Sequence, residues 1–344
     1  METGEIIEKL ILVLSLFLVT LGIAAYMTYG ERKVAAWLQD RVGPDRAGPF
    51  GLFQPLADGG KLFFKEDFIP QNADKWLFII GPAIAMFTAL ITGSVIPWGP
   101  DFEAFGRTIS LQVADVNIGI LFILGVVSIG VYGIMIGGWA SNNKFALFGA
   151  IRASSQMISY ELAMGVSVIT IVMMSGSLDL GDIVKMQHGA NWNVLYQPVC
   201  FVVFFICAMA ECNRAPFDLP ESESELIGGY HTEYGSMKFG LYLFAEYTNM
   251  FISSAVIAAL FFGGYNFPGM DHFSGITLTV LGTSAFFIKI FIFIFIFMWI
   301  RWTLPRFRYD QLMKLGWKSL IPIALINLLI TGVVIALKEG WFTT

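Results

Sequence analysis

Charge is scarce in this sequence: Asp, Glu, Lys and Arg make up 14% of its 344 residues, whereas 56% are apolar. That balance, with a strongly positive mean hydropathy, excludes an ordinary soluble domain and makes lipid the natural solvent. Cysteine and histidine are rarer still. Cys200, Cys207 and Cys212 form no Cys-x-x-Cys pair, which supports neither a zinc site nor an iron–sulfur cluster. His188, His231 and His272 fall between the apolar segments, whereas a membrane haem needs axial ligands within its helices. Gly-x-Gly-x-x-Gly and the P-loop pattern are also missing, so neither a dinucleotide fold nor a nucleotide cradle is encoded. No repeat of fixed period, low-complexity tail or sizeable soluble insert interrupts the chain, and one membrane domain over 1–344 is expected. If such a chain serves electron transfer, a partner supplies the electrons.

What is present is a series of apolar runs. A bilayer span needs roughly 20 such residues. Eight segments qualify, near 6–29, 76–98, 116–140, 151–175, 194–211, 239–263, 277–300 and 319–338, which predicts an all-α polytopic membrane protein. Met1 to Leu10 has no basic stretch and no small-residue cleavage site, so the first run is expected to be a span and not a signal peptide. Sixteen Lys and Arg lie in the connections after the odd-numbered spans, against Lys9, Arg107, Lys185 and Lys338 on the other side. Basic residues stay inside, so those connections should be cytoplasmic and both termini outside. The connectors near 99–115, 176–193 and 264–276 carry turn residues and no chemical constellation.

Two cytoplasmic connections carry the information. Within 30–75, an amphipathic helix is expected over 52–65, with Gln54, Asp58, Lys61 and Lys65 on one stripe and Phe53, Leu56, Phe63 and Phe64 on the other side. Such a helix lies in the membrane interface, as an anchor or as a wall that a polar-headed, apolar-tailed substrate passes. Within 211–238, Asp218 and Glu221 have capping-box spacing, Pro220 suits a first turn and Gly228-Gly229 an end, so a helix of under two turns is expected there. Glu221 and Glu225 share its face, and Glu223 lies between them.

An ionisable side chain inside a span costs several kcal/mol and is by default a functional candidate. Glu161 lies about ten residues into the fourth span, Glu246 sits in the sixth with Tyr242, Asn249 and Ser253, and Glu211 ends the fifth with Arg214 one turn on, near enough to pair. These glutamates serve either as polar pins for helix packing or as steps of a proton relay. Lys289, in the seventh span, is the matching cation, for a structural ion pair or for charge transfer.

Taken in order, Glu31-Arg32-Lys33 to Gly43-Pro44, Gln54-Pro55-Leu56-Ala57-Asp58 with Lys61-Leu62 and Lys65-Glu66, Gly138-Trp139-Ala140-Ser141-Asn142 and Ser159-Tyr160-Glu161 resemble one known family. Ala210-Glu211, Asn213-Arg214, Pro216-Phe217-Asp218-Leu219, Glu223-Ser224-Glu225-Leu226, Glu233-Tyr234, Ala245-Glu246-Tyr247 and Pro305 to Met313 continue the match. The family is the membrane subunit of respiratory complex I called subunit 1 or H. Cys212, inside the Ala-Glu-x-Asn-Arg run, is a small departure.

The resemblance implies a chain of the bacterial inner membrane that binds no cofactor itself and joins the two arms of the complex. It would form most of the quinone chamber with two hydrophilic subunits, electrons arriving from NADH through FMN and iron–sulfur clusters in partner subunits. Small membrane subunits and antiporter-like subunits would lie alongside. On this reading Arg32, Arg41, Asp58, Lys61 and Arg214 bind quinone, and Glu161, Glu211, Glu221, Glu223, Glu225 and Glu246 form the proton-coupling path. The corresponding subunit of a membrane-bound hydrogenase is the nearest alternative, disfavoured by the 41–66 connection and the Arg214 segment. A stand-alone ion transporter would need an inverted repeat or paired broken helices, which the sequence lacks.

Overall fold

The first apolar run forms α1, Thr3–Leu38, in a computed structural model that describes residues 3–104, 107–219 and 227–338. Its helix continues beyond the expected end at 29, so that Glu31-Arg32-Lys33 lies within it and not in the following connection. The reason is one buried stripe: Thr20, Ala24, Met27, Glu31 and Ala35 recur every three or four residues and all face the bundle. A carboxylate can hold such a place only with countercharges, described below.

The expected amphipathic helix follows as α2, Gln54–Phe64, slightly shorter than the expected 52–65. Then come α3, Lys75–Thr92; a two-stranded hairpin of β1, Phe102–Ala104, and β2, Arg107–Ile109; α4, Gly119–Ala140; and α5, Lys144–Ser175. Asp74 caps α3 by accepting from the amides of Trp76 and Leu77, and Asn143 caps α5 by accepting from Phe145, which places its start earlier than 151. Two short helices, α6, Leu180–Met186, and α7, Asn193–Tyr196, lead into α8, Pro198–Glu211. The chain ends with α9, Ser236–Phe261, α10, Gly275–Thr303, and α11, Tyr309–Lys338, which contains a π-helical turn at Leu315–Leu320.

Seven of these helices are long and apolar enough to cross a membrane. The remaining expected span, 194–211, is divided at Gln197 between the short α7 and the 14-residue α8, which at 1.5 Å per residue is about 21 Å long and shorter than the bilayer core. The all-α, multi-pass architecture stands. In α9, 78% of the most apolar window is buried, against 17% in α1 and α11, so α9 is the central column and those two are peripheral.

Glycine sets the closest crossing. Gly133 and Gly137 lie one turn apart on α4, and a Cβ at Gly133 would come within 2.8 Å of the Ala85 amide nitrogen on α3. Into the same seam Tyr242 of α9 donates its hydroxyl to the Gly133 carbonyl at 3.0 Å. Gly133→Ala should therefore destabilise by about 1–3 kcal/mol, since backbone on both sides cannot yield. Gly125→Ala, where a new Cβ meets nothing within 4 Å, should be neutral or stabilising by up to about 1 kcal/mol. Thermal denaturation of the two variants side by side checks the contrast.

Candidate functional site: a buried ionic core beside an acid-lined cavity

Four charged side chains from α1, the segment after α8, α9 and α10 meet inside the bundle. Glu31 of α1 pairs with Arg301 near the end of α10 and lies 3.4 Å from Arg214, which follows α8. The second guanidinium nitrogen of Arg214 is 3.2 Å from Glu246 of α9. Two acids and two bases thus alternate, so this core is neutral. Tyrosines complete it: Tyr247 donates to Glu31 at 2.6 Å, Tyr230 to Glu246 at 3.0 Å, and the Arg214 guanidinium lies 4.2 Å from the Tyr247 ring centroid. Arg214 and Glu31 are both nearly buried, and each charge is tolerated there because its partners are in place.

Arg214 is held by its own segment. Gln156 of α5 donates to the carbonyls of Ala210 and Phe217, both at 2.7 Å, and Asp218, buried, pairs with Arg306 at 2.8 Å. The turn after α8 is thereby fixed to α5 and to the segment before α11. Arg214 points to Glu31 and Glu246, not to Glu211 as its spacing suggested. Spacing along a helix end did not apply, because the chain turns at Asn213, whose φ is 50°.

Glu211 instead opens onto an internal cavity shared with Glu246, Tyr230, Tyr242, Asn249 and Ser253, with room for a few water molecules. A second, mostly apolar cavity adjoins it, also reaching Glu211 and Ser253 and walled by Ile120, Leu180, Phe204 and Leu260. Glu161 lies within electrostatic reach of Glu211 and accepts from the Ser128 hydroxyl across the α4–α5 contact. The structure therefore brings Glu161, Glu211 and Glu246 into one neighbourhood. Glu221, Glu223 and Glu225 lie outside the described residues, as does most of the short helix expected around them.

Of the remaining expected site residues, Arg32 and Asp58 pair at 2.7 Å, joining α1 to α2, with the arginine half exposed. Gln54 donates to Asp58 at 3.0 Å, and Lys61 stands exposed one turn further on. Leu56, Phe63 and Phe64 are exposed along the other side of α2, leaving it an open apolar face. Arg41 is exposed and donates to Gln39 at 2.8 Å, apart from this group. Just before α9, Tyr234 donates to the carbonyls of Phe78 and Gly137, and burial pushes its phenol up to about 12, so it remains a donor at neutral pH.

Lys289 is no countercharge to these glutamates. Its ammonium donates to the carbonyls of Phe262, Gly264 and Asn266 at 2.6–2.8 Å, closing the C-terminal end of α9 beneath the Trp192 ring. The connectors it meets are more than turns. Gln187 and Asn266 are buried there, Gln187 accepting from the Gly263 amide and Asn266 donating to the Val184 carbonyl.

Fold and site together define a polytopic membrane protein with an ionic core in its interior, beside an acid-lined cavity, and a short amphipathic helix joined to α1 by an ion pair. The NADH dehydrogenase family model matches residues 10–332. The chain is 64% identical over 337 residues to an H subunit of NADH-quinone oxidoreductase from Cytophaga hutchinsonii, across 96% of this chain and 98% of that protein. It is 61% identical over 339 residues to the H subunit of Flavobacterium johnsoniae, across 97% of each, and 51% identical over 323 residues to an H subunit of Geobacter metallireducens, across 94% and 95%. The chain belongs to the H-subunit family of NADH-quinone oxidoreductase, and is a multi-pass membrane component of complex I.

Proposed function

We propose that this chain forms the membrane side of the quinone chamber and passes the electrostatic consequence of quinone reduction to the acids inside the bundle. The observation that carries this reading is Arg214, which bridges Glu31 and Glu246 and so connects the basic end of the bundle to the cavity that Glu211 shares. Quinone has a polar head and an apolar tail. Helix α2 offers both surfaces, with Asp58, paired to Arg32 of α1, and Lys61 along one side and exposed phenylalanines along the other. Cations near the head stabilise negative charge as it develops on reduction.

In this scheme the chain holds no redox centre and is inactive alone. FMN and iron–sulfur clusters in hydrophilic partner subunits deliver electrons from NADH, and antiporter-like membrane subunits complete the proton translocation. The excess of Lys and Arg in connections after odd spans supports a cytoplasmic chamber, with both termini on the outer side of the bacterial inner membrane. Carboxylates crowded in a partly dry space share protons and titrate as a group, so a new charge in the chamber redistributes them.

The test is Lys61→Ala and Arg32→Ala in purified complex. Each should slow quinone reduction about three- to tenfold, the loss of a surface-exposed charged contact worth about 1 kcal/mol, with NADH:ferricyanide activity unchanged. Wild-type quinone kinetics in both would remove α2 from the chamber.

A further inference from the structure

Between α1 and α10 runs an open, almost wholly apolar groove of about 330 Å³, near the lower end of the range for a small-ligand cleft. Gly22, Tyr26 and Gly30 of α1 face Phe291, Phe295 and Met298 of α10 across it. The two glycines create the space. A Cβ at Gly22 would meet nothing within 4 Å, and one at Gly30 only the Met298 methyl at 3.8 Å. Both sit inside a regular helix, where alanine is the better helix former by about 1 kcal/mol, and nothing nearby forbids it. Their absent side chains therefore serve the groove and not the packing.

The polar end is equally specific. Steps of three or four residues carry the groove face of α1 from Gly22, Tyr26 and Gly30 to Lys33 and then Trp37. The Lys33 ammonium donates to the Val42 carbonyl at 3.3 Å, lies 5.8 Å from the Tyr29 ring centroid and has further donors to offer, and Trp37 is 67% exposed. On α10, Trp302 follows Met298 by one turn and is also exposed, with the Arg301 guanidinium 5.9 Å from its ring. An apolar trough with a lysine and two exposed tryptophans one or two turns beyond its end complements a phospholipid, with the acyl chain in the trough, the phosphate at the ammonium and the indoles at headgroup level. Arg32, which holds α2, lies about 200° around the helix from Gly30, so this groove is separate from the proposed quinone wall.

We infer that the α1–α10 groove binds one acyl chain of an anionic phospholipid whose phosphate is held by Lys33. The inference stands apart from the quinone reading and survives its failure. The test places the whole complex in vesicles containing phosphatidylglycerol with a diazirine in the acyl chain, and maps the crosslinks by mass spectrometry. Label is expected on residues 22–30 of α1 and 291–298 of α10. Filling the groove with Gly22→Leu and Gly30→Leu should reduce that label at least fivefold. Lys33→Gln should reduce phosphatidylglycerol labelling about fivefold, as expected for one basic residue at a membrane surface, and reduce labelling by a phosphatidylethanolamine analogue less, because that lipid's own ammonium offsets its phosphate. No label in the wild-type groove, equal label after Lys33→Gln, or label displaced by excess quinone but not by phosphatidylglycerol would each overturn the inference. Should the paired leucine variant fail to assemble, the Lys33→Gln contrast decides alone, because that position is at the surface end of the helix.

Discussion

Arg214→Met should lower the stability of the assembled complex by about 3–5 kcal/mol, the largest single effect expected at this site. Methionine keeps much of the volume but leaves Glu31 and Glu246 without the guanidinium that lies 3.4 Å from one and 3.2 Å from the other. It also removes the cation that lies over the Tyr247 ring. Arg214→Lys should recover only part of the loss, since one ammonium cannot reproduce a planar fork that serves two carboxylates and an aromatic face. Adding Glu246→Gln to Arg214→Met should restore some stability by removing the uncompensated acid. Thermal denaturation of detergent-purified complex reads all four proteins. If Arg214→Met were as stable as wild type, the four charges would not be a coupled core.

Glu161→Gln and Glu246→Gln are expected to reduce NADH:quinone turnover by about tenfold or more while the complex assembles and reduces ferricyanide normally. The amide keeps an acceptor for the Ser128 hydroxyl at position 161 and for the Tyr230 hydroxyl at position 246, so local packing is largely retained. What each variant loses is a proton site. Glu161→Gln is the cleaner of the two, since Glu246 also balances Arg214 and its neutralisation disturbs the ionic core. If the glutamates only pinned helices together, assembly would fail before turnover did.

Much of this arrangement is legible in the sequence because lipid imposes simple demands. Apolar length marked the spans, and alternation of polar and aromatic residues marked α2 to within two residues at each end. Glu246 was conspicuous as a charge within an apolar run. Glu31 was missed as part of the core for the opposite reason: a hydropathy reading ends a span at its first charges, and three stand together at 31–33. The helical phase held the missing signal, since Glu31 continues the stripe of Thr20, Ala24 and Met27 that faces inward. Its partners could not be read locally. Arg214, Tyr247 and Arg301 are each more than 180 residues away, and only the packing of α1, α9 and α10 brings them to one point. Lys289 misled in the same manner. A lysine in a span suggests a carboxylate, but the irregular backbone after α9 offers three carbonyls instead.

The most direct measurement of the central claim, that acids in this chain couple quinone chemistry to proton movement, is NADH-driven proton uptake by complex reconstituted in sealed vesicles, with turnover recorded in the same samples. For Glu161→Gln the account predicts that turnover and pumping fall together by the same factor, because a tightly coupled pump cannot turn over without its proton step. Full turnover with a normal proton-to-electron ratio would contradict it.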